Sequence, residues 1–414
     1  MISTLEITKV ETIPVSIPVG FFKDGMCKVR GVNAPDKYYT GKTLSGSRRT
    51  APNDALLLDN IIVKIHTDED ITGIGAAAPD VGFFGEPWES VKIIIDNYMG
   101  PRIIGMDPFD REQILHIVTR TGGWHNVLAT SGIDLALHDL LGKAMNTSVC
   151  NLLGGCHQDK ILLSTEVPRG VPEKMAEHSL EYYEQGVRGF KAKVGSDPLR
   201  DALSLKAMRD AMGDKISIRA DANQAYTPKE AIKMCQLTQK FDVDLELLEQ
   251  PTKKWDLDGM ARITKTVDIP IEADESAFSL FDVMRIIKKG AADVINAKIA
   301  KAGGFYGVKK WAAVAESAGL ATVVGTEWGV GSQIAAKLHL GGSTKTIHPV
   351  IEFTEIMIHE TLLSECLELK DGYLDVPTGP GLGLELDPKK VEKYMNRDPL
   401  ASALASASRE SIYG

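Results

Sequence analysis

Short apolar runs, each closed by polar or charged residues, recur along the second half of the chain at nearly constant spacing. Eight of them read as strands: KILLSTEV (160–167), GFKAKVG, ISIRADAN, LELLEQP, IPIEADES, DVINAKIAK, LATVVGTEW (320–328) and TIHPVIEF (346–353). The gaps hold apolar residues at helical spacing: MAEHSLEYYEQG, LSLKAMRDAMG, KEAIKMCQLTQKF, DGMARITKTV, SLFDVMRIIKKG, YGVKKWAAVAESAG and VGSQIAAKLHLGG. Several of these end in Gly, which suits a left-handed C-cap. Eight strand-like runs alternating with seven helices predict an α/β chain with a parallel (β/α)7β barrel. The polar run ends keep the period. From Lys193 it is 28 residues to Asp221, 28 more to Glu249, 25 to Asp274 and 24 to Lys298. Carboxyl ends of barrel strands line one mouth, so these residues are expected to meet there.

The first third patterns differently. Residues 1–20 alternate as a strand, and 60–77 read as a hairpin around the turn TDED. Helical patterns run from Trp88 to Met99 and from Asp110 to Arg120, with Pro108 ahead of the second. ATSGIDLALHDLLGKAMNTSVCNLLGG follows, with Ile133, Leu137, Leu140 and Leu141 at helical spacing. Its His138 and Asp139 are expected to make helix-surface or interdomain hydrogen bonds. This predicts an α+β domain over 1–128, the barrel over 129–360 and an irregular segment over 361–414. At 414 residues the chain passes the ~250–300 that one core usually serves, which agrees with two domains.

A long polar segment spans about 20–54. From Phe21 to Thr50 it holds seven basic residues against two acidic ones. A loop this long is either functional or disordered, and its basic excess suits a lid over an anionic substrate. Tyr39 and Arg48 are its candidate contacts. The net charge of −9 speaks against nucleic acid, and no apolar run is long enough to span a membrane. The start MISTLEITKVET lacks a basic-then-apolar leader. Cys27, Cys150, Cys156, Cys235 and Cys366 are scattered without CxxC spacing, so reduced thiols in a cytoplasmic protein are expected rather than zinc or disulfides.

Asp221, Glu249 and Asp274 at three consecutive strand ends repel one another unless a hard cation sits among them. An all-oxygen set favours Mg2+, or Mn2+ in its place, over zinc. Lys193 and Lys298 lie across the mouth by strand count, and Lys191 shares a strand face with Lys193. Neighbouring positive charge and a bound metal should both lower a lysine's pKa toward that of a useful base. Two bases flanking a carbon acid can remove a proton on one side and return it on the other.

Lys-x-Lys, Asp-x-Asn, Glu-Gln-Pro, Ala-Asp-Glu-Ser and Asn-x-Lys-x-x-Lys-x-Gly-Gly together resemble the enolase superfamily, in its muconate-lactonizing-enzyme (mandelate racemase/muconate cycloisomerase) subgroup. TGIGAAAP, SGIDLALHDLLGK and LLGG extend the resemblance over nearly the whole chain. The resemblance implies that Asp221, Glu249 and Asp274 ligate Mg2+ and that Lys193 and Lys298 are the acid/base pair. Lys191 would contact the substrate carboxylate and tune Lys193, Asn223 and Glu275 would support the ligands, and Lys301 would lie outside the innermost ring. It also implies a capping domain, built from the N-terminal segment and part of the tail, over the barrel mouth, and a homo-oligomer. The expected chemistry is α-proton abstraction from a small carboxylate through an enediolate. Racemisation or epimerisation of an amino-acid derivative, cyclic or N-methylated, leads. Cycloisomerisation and dehydration are the alternatives, and a Schiff-base aldolase or an idle relative ranks behind them. Subgroup members acting on dipeptides often carry Asp-x-Asp at the eighth strand, where this chain has Glu352-Phe353-Thr354. Glu327 and Trp328 at the seventh strand, with Glu352, complete the expected substrate contacts, Trp328 through cation–π attraction to an amine or as an apolar wall.

Overall fold

The structure, a computed structural model, describes residues 5–19, 29–30, 56–122, 125–348, 350–353 and 360–396. Strands β1 (Ile7–Val19), β2 (Val29–Arg30), β3 (Leu56–Thr67) and β4 (Thr72–Ala77) come first. β1, β3 and β4 form an antiparallel sheet in that order, with the predicted turn joining the last two. Helices α1 (Trp88–Ile94), α2 (Arg111–Thr121) and α3 (Val127–Ala144) cover it, α1 running on as a π-helical turn over Ile95–Met99. Ile61, Val63 and Ile65 pack there with Trp88, Ile114, Val118, Ile133 and Leu137.

Helix α3 is buried on nearly every side, because the sheet covers one face and the barrel the other. Its backbone meets β4 closely enough that a Cβ on Gly75 would stand 2.2 Å from the Gly132 carbonyl oxygen. Of the two placements expected for His138 and Asp139, the interdomain one holds. Asp139 accepts from the Ile74 N–H at 2.8 Å and the Leu382 N–H at 2.8 Å, tying the hairpin to the C-terminal segment. His138 is buried between Arg111 and the Asp134 carbonyl.

After α4 (Val149–Leu152) the chain alternates: β5 (Lys160–Val167), α5 (Pro172–Glu184), β6 (Gly189–Lys193), α6 (Pro198–Met212), β7 (Ser217–Asp221), α7 (Pro228–Lys240), β8 (Leu248–Glu249), α8 (Leu257–Thr266), β9 (Ile271–Ala273) and α9 (Leu280–Lys289). Then come β10 (Val294–Asn296), α10 (Ile299–Ala302), α11 (Phe305–Ser317), β11 (Ala321–Val323), α12 (Ser332–Ser343) and β12 (Val350–Glu352). Local chemistry sets the helix ends. Thr227 and Glu230 form a capping box at the start of α7. Gly290 closes α9 in the left-handed conformation expected of it.

The eight barrel strands are parallel and ordered β11-β10-β9-β8-β7-β6-β5-β12. A parallel bridge between Thr322 and Ile347 closes the ring. Leu247, Val294 and Val323 form a small apolar cluster of their own. The larger core fills the space between strands and helices.

In the C-terminal segment, β13 (Leu367–Glu368) pairs with β2, and β14 (Tyr373–Asp375) adds antiparallel to β5. Helix α13 (Pro388–Tyr394) returns to the first sheet, where Val391 and Tyr394 pack on Val15, Ile17 and Leu58. No helix among the described residues is long and apolar enough to cross a membrane. The cysteines depart from expectation. Cys150 and Cys156 are joined in a disulfide and Cys366 is also disulfide-bonded, leaving Cys235 free and buried. Short-range pairing across the turn after α4 brings the first two together, a proximity that CxxC spacing does not encode.

Candidate active site

The strand ends converge as their period predicts. Lys193 and Asp221 are register partners between β6 and β7, and Asp221 and Glu249 between β7 and β8. Asp274 follows the last residue of β9, and Lys298 stands between β10 and α10. Asp221, Glu249 and Asp274 are each 1% exposed. β6 and β10 are four places apart in an eight-strand ring, so their lysines stand on opposite sides of it.

Each lysine is paired with a different aspartate. Lys193 Nζ lies 2.7 Å from Asp221 Oδ2 and 3.4 Å from Glu166 Oε1. Lys298 Nζ lies 2.6 Å from Asp274 Oδ2 and 4.0 Å from the centroid of the Phe83 ring. Lys191 Nζ sits among Glu352 at 2.8 Å, Glu249 at 3.1 Å and Asp221 at 3.7 Å. Acidic neighbours oppose the expected lowering of the lysine pKa values. Burial does disfavour the ammonium, but Asp221 and Glu166 around Lys193, and Asp274 and Glu249 around Lys298, outweigh it and hold both above the ordinary range. The neighbouring positive charge of Lys191 acts in the expected direction on each and is too small to prevail.

The carboxylates fit a cation. Burial pushes the Glu249 carboxyl well above its usual range, and Asp221, Glu272 and Asp274 push it further, against Lys191. Against burial, Lys193 and Lys191 hold Asp221 below its usual range, and Lys298 and Lys301 do the same for Asp274, so each of the two aspartates is stabilised as an anion by adjacent positive charge. Three buried oxygen donors that need such charge suit a hard divalent ion. Among the described residues, no three acidic, His or Cys groups clasp an ion as they stand. The reason is visible: lysines hold Asp221, Glu249 and Asp274.

Asn223 and Glu275 support this ring. The Asn223 N–H donates to Asp221 Oδ1 at 2.9 Å, and the side chains of Asn223 and Gln224 donate to Glu275 Oε1 at 3.3 and 3.1 Å. Asn223, Gln224, Gln250 and Trp328 all have positive φ without being glycine. Such backbone is uncommon and clusters where function fixes it.

A cavity of about 640 Å3 opens above the ring. Lys191, Lys193, Asp221, Asn223, Glu275, Lys298, Glu327 and Trp328 line it, as do residues that sequence reasoning passed over: Phe83, Phe84, Phe278, Glu166, Arg169 and Lys254. Phe278 stacks on Phe83 with centroids 5.2 Å apart, so the first domain and the barrel share one aromatic wall. Neither carboxylate oxygen of the buried Glu327 has a hydrogen-bond partner among the described residues. Glu352 does not line the cavity. Its Oε2 instead accepts from the Thr326 N–H at 3.2 Å and pairs with Lys191 beneath the cavity. Tyr39 and Arg48, with most of the basic segment, lie outside the described residues.

One further residue was missed, and Lys301 backs the ring from outside the cavity. Gln250 is fully buried. Its Oε1 accepts from the Asp274 and Ser276 N–H groups at 3.0 Å each, and its Nε2 donates to Ser276 Oγ at 2.8 Å. Lys301 touches Asp274 directly, at 2.6 Å from Oδ1. Glu166 had a signal: its place at the end of β5, beside Lys191 in register, repeats the strand-end rule.

Residues 174–390 match the family described as enolase C-terminal domain-like, and residues 54–154 match the mandelate racemase/muconate lactonizing enzyme N-terminal domain. An L-Ala-D/L-Glu epimerase of Clostridium acetobutylicum is 34% identical over 299 residues, covering 72% of this chain and 83% of the relative. Muconate cycloisomerase 1 of Pseudomonas putida is 32% identical over 347 residues, covering 81% and 90%. Among solved structures, a dipeptide epimerase of Enterococcus faecalis complexed with Mg and the dipeptide L-Leu-L-Tyr superposes with a TM-score of 0.78 at 28% identity, covering 92% of this chain and 99% of that one.

Proposed function

Because the chain belongs to the enolase superfamily, in its mandelate racemase/muconate lactonizing enzyme branch, we propose that it racemises or epimerises the α-carbon of an amino-acid-derived carboxylate. One observation carries this reading. Lys193 and Lys298 stand on opposite sides of one cavity, each paired with a different aspartate of the same ring. Mg2+, with Mn2+ as substitute, would be held by Asp221, Glu249 and Asp274 and supply the positive charge that steadies the substrate carboxylate as its α-carbon loses a proton.

Lys193 and Lys298 would lose the partners that keep them protonated once Asp221 and Asp274 turn away from them. Each then exchanges a proton with one face of the substrate. Lys191, deeper in the cavity wall, orients the substrate carboxylate and is itself fixed by Glu352. The aromatic wall of Phe83, Phe84 and Phe278 excludes water on the Lys298 side. Glu327 and Trp328 receive the nitrogen-bearing part of the substrate, since a buried carboxylate without a partner is costly until a donor reaches it. Cycloisomerisation or β-elimination on the same ring needs only one of the two lysines as base.

Deuterium wash-in from D2O tests the reading across libraries of dipeptides, N-acyl amino acids, betaines and sugar acids. One class of amino-acid-derived acid is expected to exchange its α-proton in the Mg2+-loaded enzyme, and the Lys193→Ala, Lys298→Ala double variant is expected not to. Exchange persisting in the double variant, or borohydride trapping of substrate on a lysine with activity that survives EDTA, would overturn it.

A further inference from the structure

Two fully buried side chains reach the three polar attachments of Asp274 other than Oδ2, and the Ala277 N–H shares the carbonyl at 3.0 Å. Its N–H donates to Gln250 Oε1 at 3.0 Å. Its carbonyl oxygen and its Oδ1 both accept from Lys301 Nζ, at 2.8 and 2.6 Å. Only Oδ2 faces Lys298, at 2.6 Å. Lys301 is 1% exposed and does not line the cavity, whereas Lys298 does. The helical turn of α10 between them explains the division. Lys298 precedes the turn and points to the mouth, and Lys301, three residues on, is carried beneath Asp274.

Asp221 offers a contrast. Its Oδ2 takes Lys193 at 2.7 Å, the second cation, Lys191, stands 3.7 Å away, and Oδ1 is held by a neutral N–H of Asn223. The two sides of the ring therefore differ. On the Lys298 side a second, fully buried lysine contacts the aspartate directly at 2.6 Å, and on the Lys193 side the second lysine stands 3.7 Å off.

We propose that Lys301 is a positioning residue for the Lys298 half of the site: it neutralises Asp274 from below, presents Oδ2 alone to the cavity, and so leaves Lys298 free to part from Asp274 and meet the substrate. Without Lys301 the Asp274 charge falls to Lys298 alone, and the two stay locked. The proposal rests on the two-base reading for its catalytic consequence, but not for its effect on the ring itself.

Lys301→Met keeps the unbranched apolar stem and deletes the charge. Two readouts apply. The first is calorimetric titration of the substrate-free protein with Mg2+. With Lys301 gone, Lys298 stays on Asp274 Oδ2 and competes with the ion for it, so binding should weaken by about tenfold. The second is deuterium wash-in measured separately for the two enantiomers of an exchanging substrate, with the Lys298 face assigned by the Lys298→Ala variant. Exchange at that face should fall by roughly 10²-fold more than at the Lys193 face.

Unchanged or tighter Mg2+ binding overturns the proposal, and so does an equal loss at both faces, which is what a general packing defect gives. Should Lys301→Met fail to fold, Lys301→Gln keeps a neutral donor at the position and carries both measurements with the same expected directions. If the wild type exchanges no acid at all, the two-base reading fails by itself, and the Mg2+ titration still decides whether Lys301 acts on the ring.

Discussion

Lys193 Nζ lies 2.7 Å from Asp221 Oδ2, and Lys298 repeats the relationship with Asp274 at 2.6 Å on the opposite side of the barrel mouth. Under the proposed two-base reading the two lysines act on opposite faces of one carbon, so losing one should not silence the other. Lys193→Met is expected to lower epimerisation by ~10²–10⁴-fold, the usual contribution of a positioned acid/base group. The same variant should continue to wash deuterium into one enantiomer without inverting it, and Lys298→Met should do so for the other. NMR of the recovered substrate reads both quantities. Loss of exchange from both enantiomers in either single variant would show that the lysines act as one unit rather than as two bases.

The crowded carboxylates predict an exchange of stability for metal binding. Glu249 is held well above its usual range by burial, then by Asp221, Glu272 and Asp274, so its charge strains the metal-free fold. Glu249→Gln removes that charge at the same size. Without divalent metal the variant is expected to melt at a higher temperature than the wild type. With Mg2+ at a hundred times its Kd the wild type should gain ~2.7 kcal/mol, and the variant much less. Chelation with EDTA should abolish wild-type turnover, and Mg2+ should restore it. Parallel melting curves for the two proteins with and without Mg2+ would remove Glu249 from the ligand set.

Strand count and the convergence of Lys193, Asp221, Glu249, Asp274 and Lys298 were legible, because a βα repeat has a length and that length appears directly as spacing. The seven helices expected between the strands are eight, since the four-residue α10 is too short to show a period. What spacing does not carry is direction and company. Glu352 occupies the expected strand, yet it turns to Lys191 and the Thr326 N–H beneath the cavity. Lys301 sits three residues beyond a base, and only the helical turn of α10 brings it under Asp274. Gln250 reads as the middle of a Glu-Gln-Pro motif, and its hydrogen bonds to the Asp274–Ser276 backbone depend on how two loops meet. The charges around Lys193 were only partly visible for a related reason. Lys191 was visible beside Lys193 in sequence, while Glu166, 27 positions upstream and 3.4 Å away, was not counted against it.

Glu327 should distinguish substrate recognition from structure. Its carboxylate is buried, lines the cavity and has no hydrogen-bond partner among the described residues. An unsatisfied buried acceptor costs ~1–3 kcal/mol or more when charged, so Glu327→Gln is expected to stabilise the free protein in urea unfolding. Against that gain, KM should rise for substrates bearing a cationic nitrogen and change little for neutral N-acyl acids, with kcat nearly held, the pattern of lost uniform binding. Equal KM changes for both substrate classes would assign Glu327 a structural part only.

His339 predicts where the fold weakens in acid. It is fully buried on α12, accepts from the Cys150 N–H at Nδ1 (3.2 Å) and faces the Leu382 carbonyl with Nε2 (3.0 Å), which fixes the proton on Nε2. Burial pulls its pKa down to about 4, with only partial opposition from the Leu382 hydrogen bond. The unfolded chain titrates near 6.5, so between pH 6.5 and 4 the unfolded state binds the extra proton and stability rises with pH. The contribution is complete above about pH 6.5 and is lost as pH falls toward 4, a difference of roughly 3 kcal/mol. His339→Gln can serve the same two backbone partners without titrating. Urea-unfolding midpoints measured from pH 7 to 4.5 should therefore fall less steeply for the variant, by up to ~1.4 kcal/mol per pH unit within that window. Identical slopes for the two proteins would place the acid sensitivity elsewhere in the chain.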